Sequence, residues 1–215
     1  MSTDLYGNTE VSTVLRQNSQ MVIAAEIRAE AGRQLRDAIL DAAYTSAAAA
    51  GWHSVRVAAV AADVGVSRQT VHKEFGTKDA LGQALVLREA DRFIGEAMAG
   101  LQASHGDPAH ALRTAIIVSL QRLAVHPLLV SVRSDERGPL LPQLTTRGHP
   151  VRQRAVDALT AWTLDCGLSA DHERASAASD SLVRLVISHA VMPAEEAEVV
   201  GPRLAGQFCA VLQAP

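Results

Sequence analysis

Apolar residues recur along most of this chain at three- and four-residue intervals, the period of a helix with one buried face. Leu35, Ile39, Ala42, Ala43 and Ser46 form such a stripe, and Gly51 ends it. Val57, Val60, Ala61 and Val64 repeat the pattern up to Gly65, and Val71 and Phe75 repeat it up to Gly76. A long unbroken run follows, with Leu81, Leu85, Phe93 and Met98 on one side, until Ser104–Asp107 makes a loop. The spacing then predicts helices over Ala109–Val125, Leu128–Ser134, Val151–Cys166, Asp171–Val191 and Ala194–Leu212, with Asp135–Pro150 as a Gly- and Pro-containing loop. No β-type alternation and no internal repeat interrupts this, so the expected class is all-α. Residues 1–20 are polar and weakly patterned; they read as an arm carrying Arg16 and Arg28 to DNA, as a loose tail, or as a stretch ahead of a start at Met21.

The two short helices between Arg56 and Gly76 carry the local chemistry. Gly65 can close the first in the left-handed conformation, Val66 plugs the turn, and the Ser67 hydroxyl is placed to cap the second. Thr77 caps the next helix, with Asp79 in its first turn, where the helix dipole favours negative charge. With Val71 and Phe75 facing inward, Arg68, Gln69, Thr70, His72 and Lys73 are left outside. Arg and Gln side chains match the edges of guanine and adenine in a major groove, and Thr, His and Lys can meet phosphates. A short polar helix between glycine turns is also how a plain solvated face looks, so spacing leaves both readings open.

The segment GVSRQTVHKEFGTKDAL (residues 65–81) resembles the recognition segment of the tetracycline-repressor (TetR) family of bacterial regulators. The resemblance is specific over about residues 33–90, where turn, caps and core positions agree together. It implies an extension over 1–30, a three-helix helix-turn-helix DNA-binding domain over 31–77, and a larger helical domain over 78–215 that dimerises and binds an effector. The implied DNA-binding residues are Arg56, Ser67, Arg68, Gln69, Thr70, His72, Lys73, Thr77 and Lys78. Two departures stand out: His72 occupies a position where the family usually has tyrosine, and Arg56 stands near the usual Ser/Thr cap, with Ala58 and Ala59 replacing polar residues.

Composition narrows the class. Charged residues make up 20% and the net charge is −3, which argues against a protein that coats nucleic acid indiscriminately but not against one with a single basic patch. That patch would be Arg56, Arg68, Lys73 and Lys78, offset by Asp63 and Glu74. No apolar run is long enough to span a bilayer, and MSTDLYGNTE has no signal-peptide pattern, so no membrane partner and a cytoplasmic location are expected. Cys166 and Cys209 form no disulfide framework. No GxSxG, HExxH, P-loop or GxGxxG is present, so neither an enzyme nor a cofactor is expected. His105, Asp107 and His110 make a poor metal set, and Glu195, Glu196 and Glu198 read as acids at a helix start.

The remaining expectations follow from the resemblance. The effector site would use Arg113, Ile116, Leu120, Leu123, Leu129, Arg133, Leu141, Leu144, Leu159 and Trp162, with Ile117, Leu128 and His126 nearby. Such a lining suits a small apolar effector, acyl or lipid-like in character, although any one of these residues would look the same as plain core. A homodimer would form through Leu182, Leu185, Val186, His189, Leu204 and Phe208 on the last two helices. The expected function is a sequence-specific regulator, a repressor released from a palindromic operator by that effector. The rival is a helical small-molecule carrier or enzyme with an incidental helix-turn-helix.

Overall fold

The computed structural model describes residues 7–104, 106–134, 140–145 and 147–213, with side chains from Met21 onward except those of Val22 and Leu144. All regular elements among them are helical. α1 (Gly7–Ala50) is much longer than its buried stripe, reaching back through the segment read as a weakly patterned tail. No glycine or proline interrupts residues 8–31, so nothing local stops the helix. Met21, Ile23 and Ile27 stand exposed there, as does Arg28. The Arg16 side chain, and His105 of the weighed metal set, lie outside the described residues.

A 3-10 turn (Trp52–Ser54) leads into α2 (Val57–Val64) and α3 (Arg68–Phe75). These pack on the second half of α1 through Ile39, Ala43, Val60, Val71 and Phe75, each less than a tenth exposed. The same core takes in Leu81, Leu85 and Val86 of α4 (Lys78–Ala103). It also takes in Leu128 and Val132 of α6 (Pro127–Ser134), so the head is sealed by an element of the body.

The body consists of α4 together with α5 (Pro108–Val125), α6, α7 (Leu141–Leu144), α8 (His149–Asp165), α9 (His172–Val191) and α10 (Ala197–Gln213). Proline sits in the first turn of α5, α7 and α8, where its missing N–H costs nothing. Asp107 and Asp171 cap α5 and α9, the latter accepting from the Glu173 and Arg174 amides at 2.9 and 3.2 Å. α7 lies inside the segment expected to be loop; four residues are too few to register as a period, and burial of Leu140 holds it in place. α5 and α10 pack tightly at Gly201, where a Cβ would collide with the Ile117 side chain. No single helix among the described residues is long and apolar enough to cross a membrane. α5 and α6 together have the length, but they bend by 62° at His126 and bury Leu112, Ile116, Leu128 and Leu129.

Candidate DNA-reading face and effector cavity

Local hydrogen bonds build the head's outer face. Gly65 takes φ 76° and ψ 27°, closing α2 with its amide on the Ala61 and Ala62 carbonyls. Ser67 Oγ accepts from the Thr70 amide at 3.0 Å, and the two hydroxyls lie 2.9 Å apart, so both side chains are committed to the cap. Thr77 Oγ1 accepts from the Ala80 amide at 3.0 Å in the same way. Arg68, Gln69, His72 and Lys73 are exposed on α3, free to meet a groove, and Arg56 is exposed at the start of α2. Lys78 is half-buried instead. Its Nζ donates to the His53 carbonyl at 3.1 Å and lies 5.6 Å from the centre of the Trp52 ring. Burial, then the Arg56 charge, holds its pKa below the usual lysine value. One residue that sequence reasoning missed is Arg36 of α1. Its guanidinium stacks 4.3 Å over the Phe75 ring and donates to the Glu74 carbonyl, anchoring the end of α3. Nothing local marks a contact spanning 38 positions.

A cavity of about 200 Å³ lies between α4, α5, α6, α8 and α9. Of the expected effector-site residues, Ile116, Leu123, Leu129 and Leu159 line it, as do Leu128 and His126. Arg113, Leu120, Arg133, Leu141 and Trp162 do not, and the side chain of Leu144 lies outside the described residues. Arg113 points to solvent from the outer side of α5. Arg133 donates to the Ala190 carbonyl at 2.9 Å and to that of Ala124, satisfying the orphan acceptors at the ends of α9 and α5. Leu120 and Trp162 are buried in the body core, and Leu140, not Leu141, turns into the cavity. Sequence reasoning missed the α4 wall, notably Glu89 and Ile94, and the α9 wall, notably Val183 and Ile187. A visible signal existed for α9: Val183 and Ile187 beside Leu182 and Val186 make its apolar stripe wider than one contact needs.

Among the described residues only Glu89, Ser119 and His126 bring polar side chains to that wall. Burial pushes the His126 pKa below the ordinary 6.5, against the opposing pull of Glu89, and the ring meets Tyr44 of α1 edge-on at 6.1 Å. Glu89 in turn holds Arg88 at 2.9 Å and Arg92 at 3.2 Å. Both arginines also reach Asp41 of α1, at 2.8 and 3.5 Å.

The residues expected at a dimer interface divide. Leu204 and Phe208 of α10 are each 2% exposed, packed into the body core of their own chain. Leu182 and Val186 face the cavity. A helix stripe covered from within looks the same in sequence as one covered by a second copy. Leu185 remains exposed and His189 half-exposed on α9, with Val199 exposed on α10.

Comparison with known proteins agrees with this layout. A family model described as bacterial regulatory proteins of the tetR family matches residues 39–85, and one described as the bacterial tetracyclin repressor C-terminal domain matches 107–209. The HTH-type transcriptional regulator AlkX of Mycobacterium tuberculosis is 33% identical over 179 residues, 82% of this chain and 85% of that protein. The crystal structure of the TetR family repressor AlkX from Dietzia sp. strain DQ12-45-1b, implicated in biodegradation of n-alkanes, is 26% identical with a TM-score of 0.71. That match covers 83% of this chain and 95% of the Dietzia chain. The transcriptional repressor QsdR of R. erythropolis shares the fold at 14% identity, with a TM-score of 0.62 over 84% of this chain and 95% of its own. Proteins of this kind are DNA-binding regulators that act as dimers and carry a ligand-binding C-terminal domain. The helix-turn-helix head, the helical body around a cavity, and both family matches together make this chain a TetR-family transcriptional regulator.

Proposed function

We propose that the protein represses transcription in the cytoplasm as a homodimer on a palindromic operator, and that an apolar small molecule with a long alkyl body releases it. The observation that carries this reading is a shared wall. Val86, Leu128, Val132 and Leu140 belong to the head's core and also line the cavity. A ligand that fills the cavity therefore presses on the same side chains that seal the head. If it favours the head spacing that cannot bridge two half-sites, it lowers DNA affinity by the factor by which DNA lowers its own. Moving the population from about 1:99 to 99:1 takes about 5.5 kcal/mol of differential binding, equivalent to about seven methylenes buried in one state only. An alkyl chain can supply that. The Dietzia relative's link to n-alkanes points the same way.

In this reading Arg68 and Gln69 read base edges, and Arg56, His72 and Lys73 contact phosphates. Ser67, Thr70 and Thr77 set the helix starts, and Lys78 pins the 3-10 turn while offering its remaining donors to the backbone. The dimer is joined through Leu185, His189 and Val199. Selection of bound duplexes from a random pool, followed by a salt titration, tests the proposal. Recovery of a two-fold symmetric site with steep salt dependence is expected, as is its release by medium-chain alkyl compounds. Enrichment of no sequence, or a salt-independent signal, would make the protein a carrier instead.

A further inference from the structure

Among the described residues Glu89 is the one carboxylate on the cavity wall, and its hydrogen bonds are lopsided. Oε1 accepts from Arg88 Nε at 3.1 Å, Arg88 Nη2 at 2.9 Å and Arg92 Nη1 at 3.2 Å. Oε2 accepts from no protein donor among the described residues. The side chain as a whole is only 11% exposed, so that oxygen sits among the aliphatic side chains of the wall. Among the described residues no lysine or arginine lines the cavity. His126, the other titratable group on the wall, is held toward its neutral form by burial. Among the described residues the wall therefore presents an unused acceptor amid aliphatic side chains, with the Arg88 and Arg92 cations engaged on its other oxygen.

We infer that the cavity recognises an uncharged amphiphile, a primary alcohol on an alkyl chain, whose hydroxyl donates to Glu89 Oε2. This rests on the cavity being the effector site and names the chemistry of its head group. A fatty carboxylate would bring a further negative charge against Glu89 in a low-dielectric wall, where Arg88 and Arg92 are already shared between Glu89 and Asp41. An alkane would leave Oε2 unpaired once the ligand displaced water from it. An alcohol satisfies it and buries its chain. The anchor also lies beside the head: Arg88 and Arg92, which hold Glu89, are the residues that grip Asp41, and Arg88 Nη1 donates to the Asp37 carbonyl at 3.2 Å. A hydroxyl drawing on Glu89 therefore acts on the clamp between α4 and α1.

Calorimetric titration of the full-length protein with 1-octanol, octanoate and n-octane near neutral pH tests the inference. Octanol should bind at least about tenfold more tightly than octanoate, because a site built around a hydrogen bond rejects the analogue that cannot make it. Glu89→Gln keeps an acceptor and removes the charge. It should hold octanol within about threefold and raise octanoate affinity at least about fivefold. Glu89→Leu should lose about tenfold for octanol and leave octane within about twofold. Octanoate binding the wild type as tightly as octanol, with no gain in Glu89→Gln, would overturn the inference. Loss of tight octanoate binding in Arg122→Ala would then move the head group to the groove between α4 and α5, where Arg122 pairs with Glu96. Should Glu89→Leu not fold, the Gln variant with octanoate decides the matter alone. If neither octane nor octanol binds, and Leu159→Trp changes nothing, the cavity is not the effector site and the underlying reading fails instead.

Discussion

Gly82→Ala places two effects of known size in opposition. Gly82 is buried within α4, and a helical glycine replaced by alanine ordinarily gains about 0.5–1 kcal/mol from the lower entropy of the unfolded chain. Here the added Cβ would stand 2.7 Å from Cζ2 and 3.1 Å from Cε2 of Trp52, and 3.3 Å from Cδ2 of Leu140. Trp52 is 1% exposed and rigid, and its turn is tied to the body by a backbone N–H donated to Ser131 Oγ at 3.1 Å. Restoring an ordinary carbon contact of about 3.5–4 Å requires the ring to move by roughly 1 Å. Overpacking of this kind costs about 1–3 kcal/mol, so the clash should win, with a net loss of about 1 kcal/mol. Gly95 on the same helix is exposed and has nothing within 4 Å of its Cβ, so Gly95→Ala should gain about 0.5–1 kcal/mol. Urea denaturation of both variants measures the difference. Since Trp52 joins head to body, Gly82→Ala should also weaken operator binding while Gly95→Ala leaves it unchanged. A Gly82→Ala protein as stable as Gly95→Ala would refute the claim that Trp52 cannot yield.

Three further outcomes are expected. Arg68→Ala and Gln69→Ala should each lose about 1–3 kcal/mol of discrimination between operator and variant sites. Lys78→Ala should weaken all duplexes alike and also lower stability, because His53 loses its ammonium partner; competition binding and thermal melts separate the two effects. Leu204→Glu or Phe208→Glu should unfold the chain, since each lies inside its own core, whereas Leu185→Glu with Val199→Glu should give folded monomers by sedimentation. Acid should destabilise the fold through His126. Its folded pKa is depressed below the unfolded value of 6.5, so the folded state binds fewer protons and stability falls as pH drops below that value. His126→Gln should remove part of the difference in denaturation midpoint between about pH 7.5 and about pH 5.5.

The head was legible residue by residue because its determinants are local. Gly65, Ser67, Gly76 and Thr77 act within four positions of themselves, and each occupies its expected turn or cap. The outward set on α3 follows from the inward Val71 and Phe75 by helical period alone. Composition and periodicity also determined the all-helical class, as no competing alternation exists. What lay beyond the sequence was the identity of each stripe's partner. Leu204 and Phe208 show an apolar face whether it meets α5 or another chain, and only the Gly201–Ile117 approach decides for α5. Arg133 and Trp162 have the chemistry of ligand contacts, yet tertiary packing commits one to helix-end carbonyls and the other to the core. Glu89 reads as an ordinary helix-surface acid until the fold turns it toward a cavity and brings Arg88 and Arg92 against Asp41, about fifty residues away in the chain. Helical period records which side of a helix is apolar, but not what lies across from it, and the function of the body depends on the second.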